Sequence, residues 1–337
     1  MIKHRQNYIA ESRLTLPVVS VFGLLVWIAS GMFRPYYVLE SSGLTGGAWV
    51  QLTCLVLSAA LMVVLNNSNA LLRVYSRTVS SSFILLSCAA CFLFNSASGS
   101  IVSLCVIASC LCAFRSFQDK EATGWTFYAF LCIGMASLVF PLVLLYVPLF
   151  WLFMKMQINS LSWRTFFASI LGLATPYWFA AAYLLLKYTS VEALAAGWAT
   201  FTDRLQLYFP LPHALQLSDF TVNQAITYLF VTLLLLTGII HYWRDSINDK
   251  IRTRQLYGCF IMLGLVTAVL IPLLPTCYDG LLQILIISTS PLIAHFVTLT
   301  HTKVTNVAFH VIVAIILLLT VFNLWMPSFS FSSVTAT

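Results

Sequence analysis

The sequence predicts an all-α, polytopic integral membrane protein of about eleven transmembrane helices (ten to twelve), and three observations carry that prediction. Hydrophobic residues make up 60% of the 337 positions and charged residues only 8%, against roughly 25% in a soluble domain. Apolar runs long enough to cross a hydrocarbon core of about 30 Å recur along the whole length. The basic residues also collect on one side of a single threading. A backbone in lipid must satisfy its own N–H and C=O groups, so each crossing run is expected to be helical.

The apolar segments run roughly over 14–33, 47–66, 79–95, 99–114, 124–139, 141–156, 166–186, 224–243, 256–274, 280–299 and 305–325. The first follows a basic stretch, as a signal peptide would, but no small-residue cleavage pattern follows Phe33 and Arg34-Pro35-Tyr36-Tyr37 is not one, so a retained span is expected. The fifth and sixth form one apolar run from Gly124 to Met154 that contains Pro141 and Pro148. A single helix of about 30 residues would rise about 45 Å, too long for an ordinary crossing. Pro141 donates no backbone hydrogen bond and pushes Phe140 out of helical geometry, which predicts a reversal there. No polar stretch is long enough to bury a core of its own, so residues 1–337 are read as one membrane domain.

Charge supports that threading. With the N-terminus inside and eleven crossings, the inner side holds Lys3, Arg5, Arg13, Arg73, Arg77, Arg115, Lys120, Lys155, Arg164, Arg244, Lys250, Arg252, Arg254 and Lys303. The outer side keeps Arg34, Lys187 and Arg204. Merging the fifth and sixth segments would move Lys155, Arg164 and the basic 244–254 connection outside, against the positive-inside rule. Five acids on each side (Glu11, Asp119, Glu121, Asp245, Asp249; Glu40, Glu192, Asp203, Asp219, Asp279) leave +9 inside and −2 outside. The net charge of +7 is therefore a matter of orientation, with anionic lipid headgroups as the expected partner of the basic face and no nucleic-acid partner. The expected location is a bacterial inner membrane, N-terminus cytoplasmic and C-terminus periplasmic.

Nine scattered cysteines include Cys88 and Cys91 at CxxC spacing, but these lie in an apolar run without basic neighbours and are read as packing residues. Only Cys277 is expected to be exposed outside. Histidines 241, 295, 301 and 310 show no repeated spacing and are read as packing or interfacial, with no metal and no cofactor implied. Span interiors are nearly free of Asp, Glu, Lys and Arg, which argues against an ion-coupled path.

Any chemistry is therefore expected at an interface, and two external loops stand out. Residues 34–46 carry Arg34, Tyr36, Tyr37 and Glu40; residues 187–223 form the longest connection. Within the second, Leu194, Trp198, Phe201, Leu205 and Tyr208 recur at helical spacing, with Glu192, Thr200 and Asp203 turned away from them. That pattern predicts an amphipathic interfacial helix, either a surface anchor or a lid presenting Asp203, Arg204 and His213 to lipid headgroups. Glu40 has two readings: half of a surface pair with Arg34, or a general base toward an acceptor hydroxyl, with an arginine holding a lipid-linked phosphate.

The stretch Ala122–Tyr183 contains Ile133-Gly134-Met135-Ala136-Ser137-Leu138-Val139-Phe140-Pro141, then Trp151, Ser162-Trp163-Arg164 and Leu171-Gly172-Leu173-Ala174-Thr175-Pro176-Tyr177. It resembles an uncharacterised family of polytopic inner-membrane proteins of Bacteroidetes. More remotely, the layout resembles the GT-C superfamily of lipid-dependent glycosyltransferases. The shared features are a first span, an external loop with a carboxylate, a Gly-x-Ala-Ser-Leu helix before a proline-initiated span, and an external amphipathic helix. That resemblance implies a polyprenyl-phosphate-linked substrate and places the catalytic acid residue at Glu40. The paired acidic motif usual in that superfamily is absent here. A non-catalytic scaffold or assembly component of envelope machinery, its protein partners unspecified, and a lipid or small-molecule transporter using residues such as Asn66, Asn67 or Gln283 are the alternatives.

Overall fold

A computed structural model of the chain describes residues 5–33, 46–187 and 220–325. Among them there is no strand, and the helices are α1 (Arg5–Glu11), α2 (Thr15–Phe33), α3 (Gly46–Asn69), α4 (Thr78–Ala89), α5 (Ala97–Arg115) and α6 (Thr123–Val139). They continue as α7 (Val147–Leu152), α8 (Trp163–Lys187), α9 (Val222–Asp245), α10 (Ile251–Leu273), α11 (Tyr278–Leu299) and α12 (Lys303–Trp325). Eight of the spans that these helices form are long and apolar enough to cross a membrane; Thr78–Ala89, Thr123–Val139 and Pro141–Gln157 are apolar but shorter. Each of the eleven apolar segments thus contains helix.

The reversal at Pro141 is present. α6 ends at Val139, Phe140 leaves helical geometry at φ −137° and ψ 89°, and a 3-10 turn starts at Pro141. The proof of reversal is long-range. Phe130 packs on Phe150 and on Trp151, each with ring centroids 6.3 Å apart. Twenty residues of continuous helix would hold those rings about 30 Å apart. The returning limb closes beside its start, where the Gln118 N–H donates to the Ile158 carbonyl at 2.8 Å. A π turn over Phe153–Gln157 ends that limb.

α8 then runs parallel to α6. Successive approaches join Gly172 to Phe127, Gly134 to Leu173 and Pro176, and Ser137 to Tyr177, whose hydroxyls lie 2.7 Å apart. A Cβ on Gly134 would sit 2.8 Å from the Leu173 carbonyl oxygen, so only glycine allows this approach of two backbones. Trp151 adds a hydrogen bond from its ring N–H to Ser169 at 3.0 Å. The glycine- and proline-bearing motifs of the 133–177 stretch are therefore the packing seam of α6, α7 and α8, in the manner of small-residue interfaces between membrane helices.

The third segment breaks in the middle. α4 stops at Ala89, a 3-10 turn covers Cys91–Asn95, and Ser96 caps α5 through the Gly99 N–H. Carbonyls at the break are paired from neighbouring helices: Asn323 Nδ2 donates to Ala89 O at 2.7 Å, and Ser30 Oγ to Cys91 O at 3.4 Å. Unpaired carbonyls in an apolar interior would each cost several kcal/mol by order of magnitude.

α11 is the central element, packed by α4, α5, α9 and α10, and nearly every one of its residues is buried. Its hydroxyls need no outside partners. Ser288, Thr289, Ser290 and Thr298 each donate to a carbonyl three or four residues earlier in the same helix. Its C-terminal carbonyls are capped by α1: Gln6 Nε2 donates to Val297 O and to Thr300 Oγ1, and Asn7 Nδ2 to Thr300 O at 3.0 Å. At the other extreme of α11, Gly280 packs on the Phe140 ring, and Tyr278 donates to the Gln224 carbonyl at 2.7 Å.

Candidate functional site

The helix ends gather into two groups. One holds the polar ends of α1, α3, α5, α9 and α11 with the 116–122 and 158–164 connections, and it carries nearly all the described basic side chains. The Arg252 guanidinium donates to Asn69 Oδ1 at 3.0 Å and to Phe114 O, and lies over the Phe117 ring. Ser162 Oγ donates to Lys120 O at 2.8 Å. The opposite group holds the ends of α2, α6 and α12 and the starts of α3, α9 and α11; Lys187, at the end of α8, belongs to it.

Arg34, Tyr36, Tyr37, Glu40, Trp198, Asp203, Arg204 and His213 all lie outside the described residues, as does the expected amphipathic helix. The described flanks of both segments, Phe33 and Gly46, Lys187 and Phe220, stand at the less basic end. Trp27 and Trp49 meet there at 6.0 Å, and Phe220 packs on Tyr278 at 5.9 Å. Asp279, in the first turn of α11, is exposed and is the one acid at this end among the described residues. A carboxylate in a first turn is favoured by the helix dipole. Close by, the buried side chain of Asn223 has neither its oxygen nor its nitrogen hydrogen-bonded. Cys277 departs from expectation: it is buried rather than exposed, because the 3-10 turn Pro275–Cys277 folds it under the start of α11.

The basic end contains a buried ionic cluster that sequence reasoning missed. Asp249, in the α9–α10 connection, accepts a hydrogen bond from Arg73 Nε at 2.5 Å, and its other oxygen lies 3.1 Å from His295 Nε2. The Asp249 side chain is 1% exposed and that of His295 0%, whereas Arg73 is 34% exposed. An ionised carboxylate only accepts, so His295 carries its proton on Nε2. His295 Nδ1 has no hydrogen-bond partner. Arg73 also bridges to Asp245 at 3.1 Å. Around His295 stand the rings of His241, Tyr242 and Tyr257, at 5.5, 5.3 and 5.2 Å.

Burial works to raise the Asp249 carboxyl, but hydrogen bonds from His295 and Arg73, with their charges, bring it below the usual carboxylate range. Burial likewise works to lower the Arg73 guanidinium, and Asp249 and Asp245 together hold it above its usual value. Ala70, at φ 47°, makes the turn that delivers Arg73 to this site. No sequence signal joins these residues, because 176 positions separate Arg73 from Asp249 and 46 separate Asp249 from His295. Among the described residues no three His, Cys, Asp or Glu side chains gather as a metal-holding group. The arrangement clasps three elements together.

Two other features belong to the described spans. Gln283 and Ser58, Ser87, Ser100 and Ser103 line a void of about 20 Å³, room for about one water molecule and too small for a solute path. Asn66, one of the residues named for the transporter alternative, donates to the Ser76 carbonyl at 2.9 Å, and Asn67 is exposed at the end of α3. A half-open apolar groove of about 410 Å³ lies between α2, α4, α11 and α12. Comparisons with protein-family models, with curated proteins and with solved structures find no match to this chain.

Proposed function

We propose that this chain crosses a bacterial inner membrane eleven times, basic end in the cytoplasm, and transfers a group from a polyprenyl-phosphate-linked substrate at the periplasmic face. One observation carries the choice of face. The basic end is tied shut by paired side chains, from Gln6 with Thr300 to Arg73 with Asp249 and His295, and Arg252 with Asn69. The long segments 34–45 and 188–219 both depart from the opposite end, where Asp279 supplies a carboxylate from the central helix.

In this reading Glu40 takes the proton of the acceptor hydroxyl as that oxygen bonds to the transferred carbon. The bond from that carbon to the lipid phosphate breaks, and the phosphate leaves with the electron pair, held by Arg34 and Arg204. Tyr36, Tyr37 and Trp198 would line the entrance, with Asp203 and His213 meeting the lipid headgroup. A non-catalytic assembly component is the second reading. It is compatible with α8, whose exposed Trp163, Phe167, Trp178, Phe179 and Tyr183 would meet either lipid or a partner helix in a membrane.

The test is Glu40→Gln at wild-type expression, with lipid-linked sugars and envelope glycans profiled by mass spectrometry. A lipid-linked precursor accumulating as in a deletion strain is the expected result. An envelope defect on deletion, with wild-type behaviour of Glu40→Gln, would overturn transfer in favour of the assembly reading.

A further inference from the structure

The groove between α2, α4, α11 and α12 has walls that are almost wholly apolar, among them Val18, Phe22, Leu85, Ile293, Val313 and Ile316. Its polar lining lies mainly toward the basic end, at Thr15, Thr78, Ser81 and His310. A volume of about 410 Å³ falls within the roughly 300–1,000 Å³ of ligand sites. Water gains nothing in such a groove, because it finds too few polar partners. Left empty, the walls forfeit their dispersion contacts. A hydrocarbon chain entering from the surrounding lipid meets both conditions.

The polar end adds charge. Arg77 is the N-cap residue of α4, one turn before Ser81 and two before Leu85, so it extends the stripe that lines the groove. Its Nε is buried and has no hydrogen-bond partner in the protein. Arg13, exposed in the turn between α1 and α2, stands two residues before Thr15. Glu11 is the one acid of this stretch. We propose that an anionic membrane phospholipid seats here, one acyl chain in the groove and its phosphate on Arg77. The occupant is a lipid of the leaflet at the basic end, so the site is separate from the proposed transfer face and does not depend on it.

The experiment uses the full chain in detergent, with phosphatidylglycerol or phosphatidylcholine of identical acyl chains added, read by native mass spectrometry and thermal unfolding. The wild type is expected to bind phosphatidylglycerol roughly fivefold more tightly, the contribution of about one well-placed cation, and to unfold at higher temperature with it. Arg77→Gln should bring the two lipids level, whereas Arg77→Lys and the remote surface variant Arg164→Gln should keep the preference. Val313→Trp, which fills the groove, should lose the effect of both lipids; Ser82→Leu serves if that variant does not fold. Equal binding of the two lipids by the wild type overturns the proposal, as does a folded, groove-filled variant that still binds them.

Discussion

Asp249 and His295 share a hydrogen bond of 3.1 Å at the buried foot of the central helix, although one belongs to a connecting loop and the other to the most enclosed span. Arg73, from a third element, completes the set. Two connections are thereby pinned to α11, and the desolvation of the carboxylate is offset only while both donors remain.

Removing Arg73 or His295 should therefore cost more than the loss of a surface pair. Arg73→Ala is expected to destabilise by about 3 kcal/mol, at the lower end for a broken buried pair because the Arg73 side chain is 34% exposed. Thermal unfolding in detergent reads this directly. A cost near zero would mean that water already solvates Asp249.

Acid should have a matching effect. The folded carboxyl of Asp249 lies below its unfolded value of about 3.9, so its contribution is fully present above that pH. It is lost as pH falls through the folded value. The wild-type unfolding temperature is expected to drop below about pH 4, more steeply than that of Asp249→Asn. Parallel curves for the two proteins would remove Asp249 from the acid transition.

The glycine seam gives a sharper steric test. Gly172→Val would drive a side chain into the Phe127 carbonyl and push α8 from α6, at an expected cost of about 1–3 kcal/mol. Gly124→Ala, with nothing near its Cβ, should be neutral or slightly stabilising. The comparison of their unfolding temperatures decides; equal effects would count against backbone contact.

At the same basic end as Asp249, Gln6→Ala should expose the last turn of α11. Two carbonyl or hydroxyl acceptors lose their donor, for about 1–2 kcal/mol. Faster hydrogen exchange at residues 298–300 is the expected signature. Unchanged exchange would show that other groups hold this turn.

Sidedness can be read with an impermeant maleimide on intact cells. Lys187→Cys is expected to label at once, and Lys120→Cys only after permeabilisation, with the wild type as blank because none of its nine cysteines is exposed. Labelling of both in intact cells would end the eleven-crossing threading; the reverse pattern would invert it.

The helical spans and the reversal at Pro141 were legible in the sequence because each depends on local chemistry, whereas the break after Ala89, inside the segment read as 79–95, was not. A helix of about 3.6 residues per turn satisfies its own backbone through an apolar run, and Pro141 removes a donor wherever it stands. Thr221 and Gln224 form a capping box that opens α9 with bonds of 3.3 and 3.1 Å, a local device that the sequence reading did not use. The Gly-x-Ala-Ser-Leu and Gly-Leu-x-x-Pro-Tyr stretches were also visible as motifs. Their meaning, two helix backbones in contact, was not, because it takes both helices to define it.

What the sequence by itself determined is the class of molecule: an all-helical chain for a lipid solvent, with its cations segregated along the threading. Only the tertiary structure decided which of those helices becomes the core, that Cys277 is buried, and that Asp249 turns inward to meet His295 and Arg73. Hydropathy is a property of each segment and survives in one dimension. Burial and ion pairing depend on which segments become neighbours, and the 172 to 300 positions between partners such as Arg73 and Asp245, or Gln6 and Asn306, carry no local trace of that choice.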